Sequence, residues 1–297
     1  MHPLSDEDVA AYRRDGFMVV KGAYTPAEIA ELSRVTNEFV DKSRALSSHN
    51  EVFDVDLAAG HSAQTPKLRR IKHPHKRHPV YRAALEKSAV LDIVGQLIGN
   101  HIRMRHSKLN AKAPGGGAAV EWHTDWGYYP HTNDDILEVG IAIEEVTLEN
   151  GWLMVLPGSH LQPAHDHHEN GLFVGAVAPG SFNMSDAVPL LLAAGDISIH
   201  HVRLLHGSAP NTSSRTRRVL FHGYAAADAW PLMGIHQPES WEEWNSWLLR
   251  GEPTVAARMS AGSARVPLPA PSAVGLFEIQ EHAASSHYAA AGGGARM

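Results

Sequence analysis

Three residues of the sequence have the types and the order expected of a metal site that is open on one side. His123 and Asp125 are separated by a single residue, and His206 follows much later in the chain. Two imidazoles and one carboxylate on one face of an iron(II) ion leave its other positions free for dioxygen and an organic ligand. A metal held only for structure is usually enclosed by four protein ligands. These residues therefore predict a facial iron site with room for a 2-oxo acid.

The His-x-Asp pair gains weight only from its context, because a chain with 21 histidines contains such a pair about once by chance. In a strand, residues i and i+2 face the same side, so His123 and Asp125 can converge on one ion. The third ligand must then come from another strand. His206 is preferred because small residues follow it and leave room for a co-substrate, while His200 and His201 compete for the position. One of these two is expected to point inward near the site.

A 2-oxo diacid that chelates iron also needs a cation for its far carboxylate, and the planar fork of arginine suits that role. Arg215, Arg217 and Arg218 all follow His206 closely. If the strand beginning near Val219 extends back to them, Arg217 shares a face with Val219 and Arg218 takes the other face. The spacing leaves Arg215 and Arg217 as alternatives.

Composition sets the broad class. The chain has 297 residues, 43% of them hydrophobic and 20% charged, as in a globular protein with a large core. A net charge of −6 gives no reason to expect nucleic acid as a partner. We expect a cytoplasmic protein without a membrane partner, because there is no apolar run long enough for a bilayer and no signal-peptide pattern at the N-terminus. The absence of cysteine excludes disulfides and thiolate metal sites.

Periodicity predicts helices first and strands afterwards. Capping signals at Ser5 and Thr25 open two helices, and the segment Pro79–Ile98 has the pattern of one long helix. The polar, basic stretch between residues 43 and 79 has no clear period. Short apolar runs then recur with turn residues between them, which is typical of a sheet sandwich or jelly roll. Runs predicted as strands are Phe17–Val20, Ile102–Leu109, Val120–His123, Ile136–Val146, Trp152–Leu156, Ile197–Val202 and Val219–Tyr224.

The expected organisation is a single domain over residues 1–297, mainly β with supporting helices. Residues 1–100 form helical support, and residues 101–226 form the β core. A late helix that carries Trp241, Trp244 and Leu248 belongs to a wrapping segment over residues 227–280. The Ala- and Gly-rich residues 281–297 are expected to form a flexible tail.

Three blocks of the sequence resemble the phytanoyl-CoA dioxygenase (PhyH) family of iron(II)/2-oxoglutarate oxygenases. They span residues 122–130, 149–160 and 195–208, the last continued by Arg217. The resemblance implies a double-stranded β-helix (jelly roll or cupin-like) core. Since Asp125 stands where halogenating relatives have a small residue, hydroxylation is expected rather than halogenation. The family's site residues fall on the iron ligands His123, Asp125 and His206 and on the 2-oxoglutarate-binding residues Arg217, Ser208, Asn110 and Lys112.

The resemblance implies a dioxygenase that uses Fe(II), 2-oxoglutarate and O2 to hydroxylate an unactivated C–H bond, releasing succinate and CO2. The expected substrate is a small organic metabolite: an acyl-CoA, a lipid-like acid or a secondary metabolite. The alternative is a non-oxidative cupin-like metal protein, either an isomerase or a small-molecule binder. A monomer or a homodimer is expected. Candidate substrate contacts are Trp126, Tyr128, Met104 and Phe221.

Two polar clusters have alternative interpretations. The basic residues Arg69, Arg70, Lys72, Lys76 and Arg77 either meet an anionic substrate or form a solvated loop. The stretch 165–169 contains three histidines and two acidic residues, and either forms a second metal site or lies in a solvated or pocket-edge loop. Sequence context favours the loop in both cases.

Overall fold

The structure is a computed structural model that describes residues 2–115, 117, 119–233, 240–260, 263–271 and 275–288. Its helices are α1 (Asp6–Asp15), α2 (Pro26–Ser43), α3 (Pro74–Arg77), α4 (Pro79–Leu85), α5 (Ser88–Ile98), α6 (Asp125–Tyr128), α7 (Trp241–Ser246) and α8 (Leu276–Gln280). Its strands are β1 (Phe17–Val20), β2 (Phe53–Val55), β3 (Leu68–Lys72), β4 (Ile102–Lys112), β5 (Val120–His123), β6 (Ile136–Ala142), β7 (Leu153–Val155), β8 (His168–Glu169), β9 (Leu172–Phe173), β10 (Val188–Leu190), β11 (Ile197–His201), β12 (His206–Ser208), β13 (Arg217–Ala226) and β14 (Leu248–Arg250).

The first two long helices begin at the predicted capping residues. Ser5 and Asp8 form a reciprocal capping box on α1, and Thr25 and Glu28 form another on α2. Helix α1 ends at Gly16, whose φ of 82° favours a residue without a side chain. Local sequence signals therefore define where both helices begin.

In the described part of the chain, two antiparallel sheets carry the fold. The major sheet has the order β1-β11-β6-β13-β4-β3-β2, with β14 also paired to β4, and the minor sheet has the order β10-β7-β12-β5. Strands β8 and β9 form a separate ribbon. The predicted fold class, mainly β with supporting helices around a jelly-roll core, is confirmed.

The two faces of the major sheet have different roles. Leu109 and Leu220 point towards the helices, where they join Leu32 and Val35 in the main apolar core. Their sequence neighbours on β4 and β13 face the opposite way, and Asn110 and Phe221 line a cavity between the sheets. The period-two alternation of these strands therefore separates an apolar layer from a polar interior.

The predicted helix over Pro79–Ile98 is wrong as a single element. It is interrupted between α4 and α5, where Lys87 has an extended ψ of 114°. The carbonyls of Ala84 and Leu85 accept hydrogen bonds from the hydroxyls of Tyr24 and Tyr224 instead of continuing the helix. Tertiary contacts from distant residues therefore override a continuous helical pattern.

Two other segments differ from the sequence expectation. The stretch between residues 43 and 79 is not irregular throughout, because it contains β2, β3 and α3. Leu248 does not continue the late helix, which ends at Ser246, and instead begins β14. In both places short strands pair at the β4 side of the major sheet.

The C-terminal segment lies against the minor sheet. Gln280 donates to the Gly175 carbonyl at 2.9 Å, and the His287 amide donates to Glu121 on β5 at 3.0 Å. Residues 281–288 of the expected tail thus contact the fold, while 289–297 lie outside the described residues. Within the described ranges, the helices include none with the length and apolarity needed to cross a bilayer.

Candidate functional site

The three predicted metal ligands lie together inside the barrel. His123 ends β5, Asp125 opens α6, and His206 begins β12. One donor atom from each side chain lies within 4.8 Å of the other two. All three residues are buried. The arrangement is compact enough for one ion to contact all three donors.

Asp125 reaches this position by a different route from the predicted one. The strand ends at His123, and Thr124 caps a short helical turn whose first residue is Asp125. The carboxylate therefore converges on His123 through the turn and not through the pleat of a continuous strand. His167 braces this turn, because its Nε2 accepts a hydrogen bond of 2.9 Å from the Thr124 amide.

Backbone carbonyls fix the tautomers of both histidines. Nδ1 of His123 lies 2.7 Å from the Glu121 carbonyl, and Nδ1 of His206 lies 2.9 Å from the Leu204 carbonyl. A carbonyl can only accept, so each Nδ1 carries the proton. Each Nε2 is then left with its lone pair, as a metal ligand requires.

His200 and His201, which competed for the third ligand position, point in different directions. His200 Nε2 lies 3.3 Å from the Asp125 carboxylate, and its ring centroid is 4.6 Å from that of His206. His201 instead packs on His160, with 5.1 Å between ring centroids. His200 is thus the inward-facing member of the pair and contacts a candidate ligand.

The charge state of the three donors suits a divalent cation. Burial lowers the pKa of His123 to about 4 and the pKa of His206 well below its usual value. Burial alone would raise the pKa of Asp125, but Lys108 and the hydrogen bond from His200 hold it well below its usual range. Two neutral imidazoles and one carboxylate are the forms that bind a metal at neutral pH.

Arg217 lines the same cavity from β13. It is buried, its Nη2 donates to the Gly151 carbonyl, and its Nε has no hydrogen-bond partner. Among the described residues, no carboxylate oxygen lies within 4.0 Å of this guanidinium. Burial lowers the pKa of Arg217 to about 10, so it stays charged at neutral pH. A buried cation with an unused donor fits the far carboxylate of a 2-oxo diacid.

The other two arginines lie outside the cavity. Arg215 has a side chain 65% exposed, with its guanidinium 3.9 Å from Glu145. Arg218 faces the helices, where it pairs with Glu144 and donates to Asn37 on α2 at 2.7 Å. Spacing left Arg215 and Arg217 as alternatives, and of these two Arg217 lines the cavity.

The three remaining predicted co-substrate residues, Asn110, Lys112 and Ser208, also line the cavity. Lys112 Nζ donates to the carbonyls of Ser208, at 3.1 Å, and Ala209. Burial and the nearby Arg217 charge lower the pKa of Lys112 well below its usual value. Lys112 thus ties β4 to the end of β12 through the backbone.

Of the four candidate substrate contacts, Phe221 lines the cavity. Tyr128 packs edge-on against His123 with 5.5 Å between centroids, and its hydroxyl donates to the Gly175 carbonyl at 2.6 Å. Trp126 packs against a cluster that includes Ile136, and Met104 belongs to the core beneath the helices. Of the described residues, Trp126, Tyr128 and Met104 do not line the cavity.

The sequence interpretation missed four cavity residues, namely Lys108, Glu138, Leu276 and Phe277. It named Arg70 only within a basic stretch that would either meet an anionic substrate or form a solvated loop. A signal for Lys108 was present, since strand alternation places it on the face of Asn110 and Lys112. Arg70 comes from the weakly patterned strand β3, Glu138 comes from the central strand β6, and the other two come from the C-terminal segment.

The histidine-rich stretch 165–169 supports the site without forming a second one. His167 is buried against Thr124, so of the two expected loop positions, solvated or at the pocket edge, this residue does not have the solvated one. Nδ1 of His168 lies 2.9 Å from the Asp166 carboxylate. In the part of the chain that the structure describes, no other group of three potential ligands is close enough to hold an ion.

Comparison with known proteins agrees with this geometry. A model of the family "Phytanoyl-CoA dioxygenase (PhyH)" matches residues 12–219. The probable alpha-ketoglutarate-dependent hypophosphite dioxygenase of Stutzerimonas stutzeri is 33% identical, over 95% of this chain and 99% of that protein. The ectoine dioxygenase of Sphingopyxis alaskensis is 25% identical, over 88% of this chain and 87% of that protein.

A solved structure shares the fold. The crystal structure of EctD from S. alaskensis with bound Fe superposes with a TM-score of 0.66 at 24% identity, covering 88% of each chain. The family match extends over most of the chain, and the relative from S. stutzeri spans nearly all of it. The chain therefore belongs to the phytanoyl-CoA dioxygenase family and is an iron- and 2-oxoglutarate-dependent dioxygenase.

Proposed function

We propose that His123, Asp125 and His206 hold iron(II) and that Arg217 holds 2-oxoglutarate, for the hydroxylation of a small molecule. The observation that carries this proposal is that three buried donors, within 4.8 Å of one another, share a cavity with a buried guanidinium that has no carboxylate partner. When bound, iron(II) and 2-oxoglutarate supply oxidation by dioxygen, with succinate and carbon dioxide as co-products.

The chain's own residues bind and orient the co-substrate. Arg217 offers its free Nε to the far carboxylate, and Ser208 stands beside it in the cavity wall. Lys112 donates hydrogen bonds to the backbone carbonyls of residues 208 and 209. We assign it the task of holding Ser208 in place, while Asn110 lines the cavity next to it.

Apolar side chains limit the access of water to the reacting atoms. Leu153 and Phe221 line the cavity from the two sheets, and Leu276 and Phe277 reach it from the C-terminal segment. A dry environment strengthens the electrostatic contacts of the site and protects reactive species from side reactions. This is the setting expected for an oxidation and not for simple storage of a ligand.

Asp125 favours hydroxylation over halogenation. Its carboxylate occupies the third protein position of the donor set, which halide would need in a halogenating site. His200 Nε2 lies 3.3 Å from this carboxylate and orients it. The proposed reaction therefore delivers oxygen to the substrate.

The bond that is oxidised has two candidates. A C–H bond of a small organic metabolite is the first, by the general chemistry of this enzyme class. A P–H bond is the second, because the relative with 33% identity over 95% of this chain is named for hypophosphite. The cavity volume is about 50 Å³, which suits a small substrate better than a CoA thioester.

We also propose that the protein works in the cytoplasm as a monomer or homodimer and without nucleic acid. The net charge of −6 supports the last point, since a polyanionic partner such as nucleic acid would be repelled. Size-exclusion chromatography with light scattering would establish the oligomeric state.

A non-oxidative isomerase or binding protein would need the histidines but not the unpaired guanidinium. The experiment that separates these functions supplies the purified protein with iron(II), ascorbate and 2-oxoglutarate, without substrate. Slow succinate formation that requires both iron and oxygen is expected. Iron bound without any succinate, even after addition of hypophosphite or a panel of small metabolites, would favour the non-oxidative alternative.

A further inference from the structure

Two more cations line the cavity besides those assigned to the co-substrate. Lys108 lies on β4 and Arg70 lies on the neighbouring strand β3. Arg70 is the register partner of Asn110, two residues from Lys108 on the same face of β4. Diagonal neighbours across a sheet are roughly 7–8 Å apart, so two long side chains there can reach one small ligand.

The other basic side chains of β3 form ion pairs with aspartates. Lys72 Nζ lies 2.6 Å from Asp54, and Arg69 lies 3.0 Å from Asp56. The cavity carboxylate of Glu138 is likewise occupied, by Arg105 and by His106 at 3.2 Å. Among the described residues, the other carboxylate in the cavity is Asp125, whose charge acts on Lys108, and Asp125 is assigned to the metal.

Arg70 and Lys108 have no such partner. Across the described residues, no carboxylate oxygen lies within 4.0 Å of either side chain. The Nε of Arg70 donates to the Asn110 side chain at 3.0 Å, which fixes one edge of the guanidinium and leaves its Nη groups for a ligand. A half-buried cation without a counter-ion indicates a place for an anion.

Aromatic rings keep both cations in the cavity. The Arg70 guanidinium carbon lies 5.5 Å from the centroid of Phe277, and Lys108 Nζ lies 5.8 Å from the centroid of Phe221. Such contacts orient a cation without using its hydrogen-bond donors. Lys108 also shares the cavity with Asp125, so a ligand bound to it lies next to the candidate metal centre.

We propose that the substrate is a small anion, a phosphorus oxyanion or a carboxylate, bound by Arg70 and Lys108 beneath Leu276 and Phe277. This rests on the proposed function, in which Arg217 is already engaged by 2-oxoglutarate. Asp125 is engaged by iron(II) and Arg217 by the diacid. The positive charges of Arg70 and Lys108 therefore still need a negative partner. A neutral substrate would leave both half-buried cations without an anionic partner.

The test uses the full chain, loaded anaerobically with iron(II) and saturating 2-oxoglutarate so that Arg217 is occupied. Isothermal titration measures the binding of hypophosphite, propanoate and the neutral isostere propanamide. We expect one or both anions to bind at least tenfold more tightly than propanamide. Hypophosphite and propanoate distinguish an inorganic oxyanion from a carboxylate.

Variants locate the site. Lys108→Met and Arg70→Gln should each weaken binding of the preferred anion roughly 10- to 100-fold, since each removes a charge-assisted hydrogen bond. Lys108→Arg should retain binding within a few-fold. The control is Lys76→Met, which removes an exposed lysine of the same basic stretch on α3 and should change nothing. Thermal unfolding confirms that each variant is folded.

The outcomes separate this inference from the function on which it rests. Succinate formation by the wild type, with equal affinity for propanoate and propanamide or no binding of either anion, would overturn the anion site alone. Unchanged anion affinity in folded Lys108→Met and Arg70→Gln would do the same. If a variant fails to fold, the wild-type selectivity still decides. A wild type that makes no succinate under any condition would instead overturn the proposed function.

Discussion

His206 and His123 are register partners in the antiparallel pairing of β12 with β5, and their ring centroids are 4.3 Å apart. Backbone hydrogen bonds of the minor sheet set this distance, and each ring is held by a carbonyl two residues earlier in its own chain segment. The two imidazoles are thus placed by the fold before any ion binds. Such preorganisation lowers the cost of forming the metal site.

Arg217→Ala should raise the 2-oxoglutarate concentration needed for half-maximal succinate formation by roughly 100-fold, because it removes a buried, charge-assisted carboxylate anchor. Iron should still bind, since Arg217 is not among the close donors. Succinate assays over a range of 2-oxoglutarate concentrations check the first point, and metal analysis checks the second. Arg215→Ala, in the exposed turn, is the matched control. An unchanged requirement in Arg217→Ala would reassign the anchor.

His200→Phe should weaken iron(II) binding by roughly 10- to 100-fold, the usual effect of losing a partner that orients a metal ligand. The physical reason is the 3.3 Å contact between His200 Nε2 and the Asp125 carboxylate. Anaerobic competition with a chromogenic chelator measures the affinity. His201→Gln alters the neighbouring histidine, which packs on His160, and should leave the affinity unchanged. Equal effects of the two variants would argue against a specific role for His200.

Acid should destabilise the protein through its buried histidines. Burial lowers the pKa of His222 from 6.5 to about 3, and both ring nitrogens lack hydrogen-bond partners. The unfolded chain takes up this proton near pH 6.5 while the folded chain does not. The free energy of unfolding therefore falls as pH drops from 6.5 towards 3, by about 1.4 kcal/mol per pH unit for one such group.

His222→Leu should accordingly reduce the loss of stability between pH 6.5 and 5.5 by about 1 kcal/mol relative to wild type. Urea unfolding at the two pH values measures the free energy of unfolding of each protein. Comparing its change with pH, and not its value, removes any difference in absolute stability between the two proteins. His282→Asn replaces an exposed histidine and should leave the slope as it is. Equal losses of stability in wild type and His222→Leu would contradict the assignment of this pH dependence to His222.

Gln280→Ala should loosen the C-terminal segment from the barrel. Gln280 is buried, accepts from the Glu121 amide at 3.0 Å and donates to the Gly175 carbonyl at 2.9 Å. Loss of the first bond leaves the buried Glu121 amide unpaired, at a cost of about 1–3 kcal/mol, while the Gly175 carbonyl keeps the hydrogen bond from the Tyr128 hydroxyl. Hydrogen exchange of residues 275–288 should become faster, whereas exposed Glu281→Ala should have no effect. Equal exchange in both variants would show that Gln280 does not anchor the segment.

Much of the site could be predicted because its signals are local. The His-x-Asp pair, the small residues after His206 and the face alternation of Arg217 and Arg218 each depend on neighbours a few positions apart. Asp125 shows the limit of this reasoning, since its position is reached through a cap at Thr124 and a helical turn.

The missed features depend on contacts between distant residues. The break between α4 and α5 is stabilised by hydroxyls of Tyr24 and Tyr224, which no helical period reports. Arg70 lies in a basic stretch without apolar alternation, and its strand is apparent only from pairing with β4. Phe277 reaches the cavity from a segment far along the chain. Single-sequence patterns carry no information on such pairings.

The central claim is that His123, Asp125 and His206 bind one iron(II) ion in the cavity that also holds 2-oxoglutarate. The most direct measurement is anaerobic titration of the protein with iron(II) and then 2-oxoglutarate, followed by the visible absorption of the iron–oxo acid chelate. We predict one iron per chain and a chelate band in the wild type, with both lost in His206→Ala. Wild-type affinity and an unchanged band in folded His206→Ala would contradict the account.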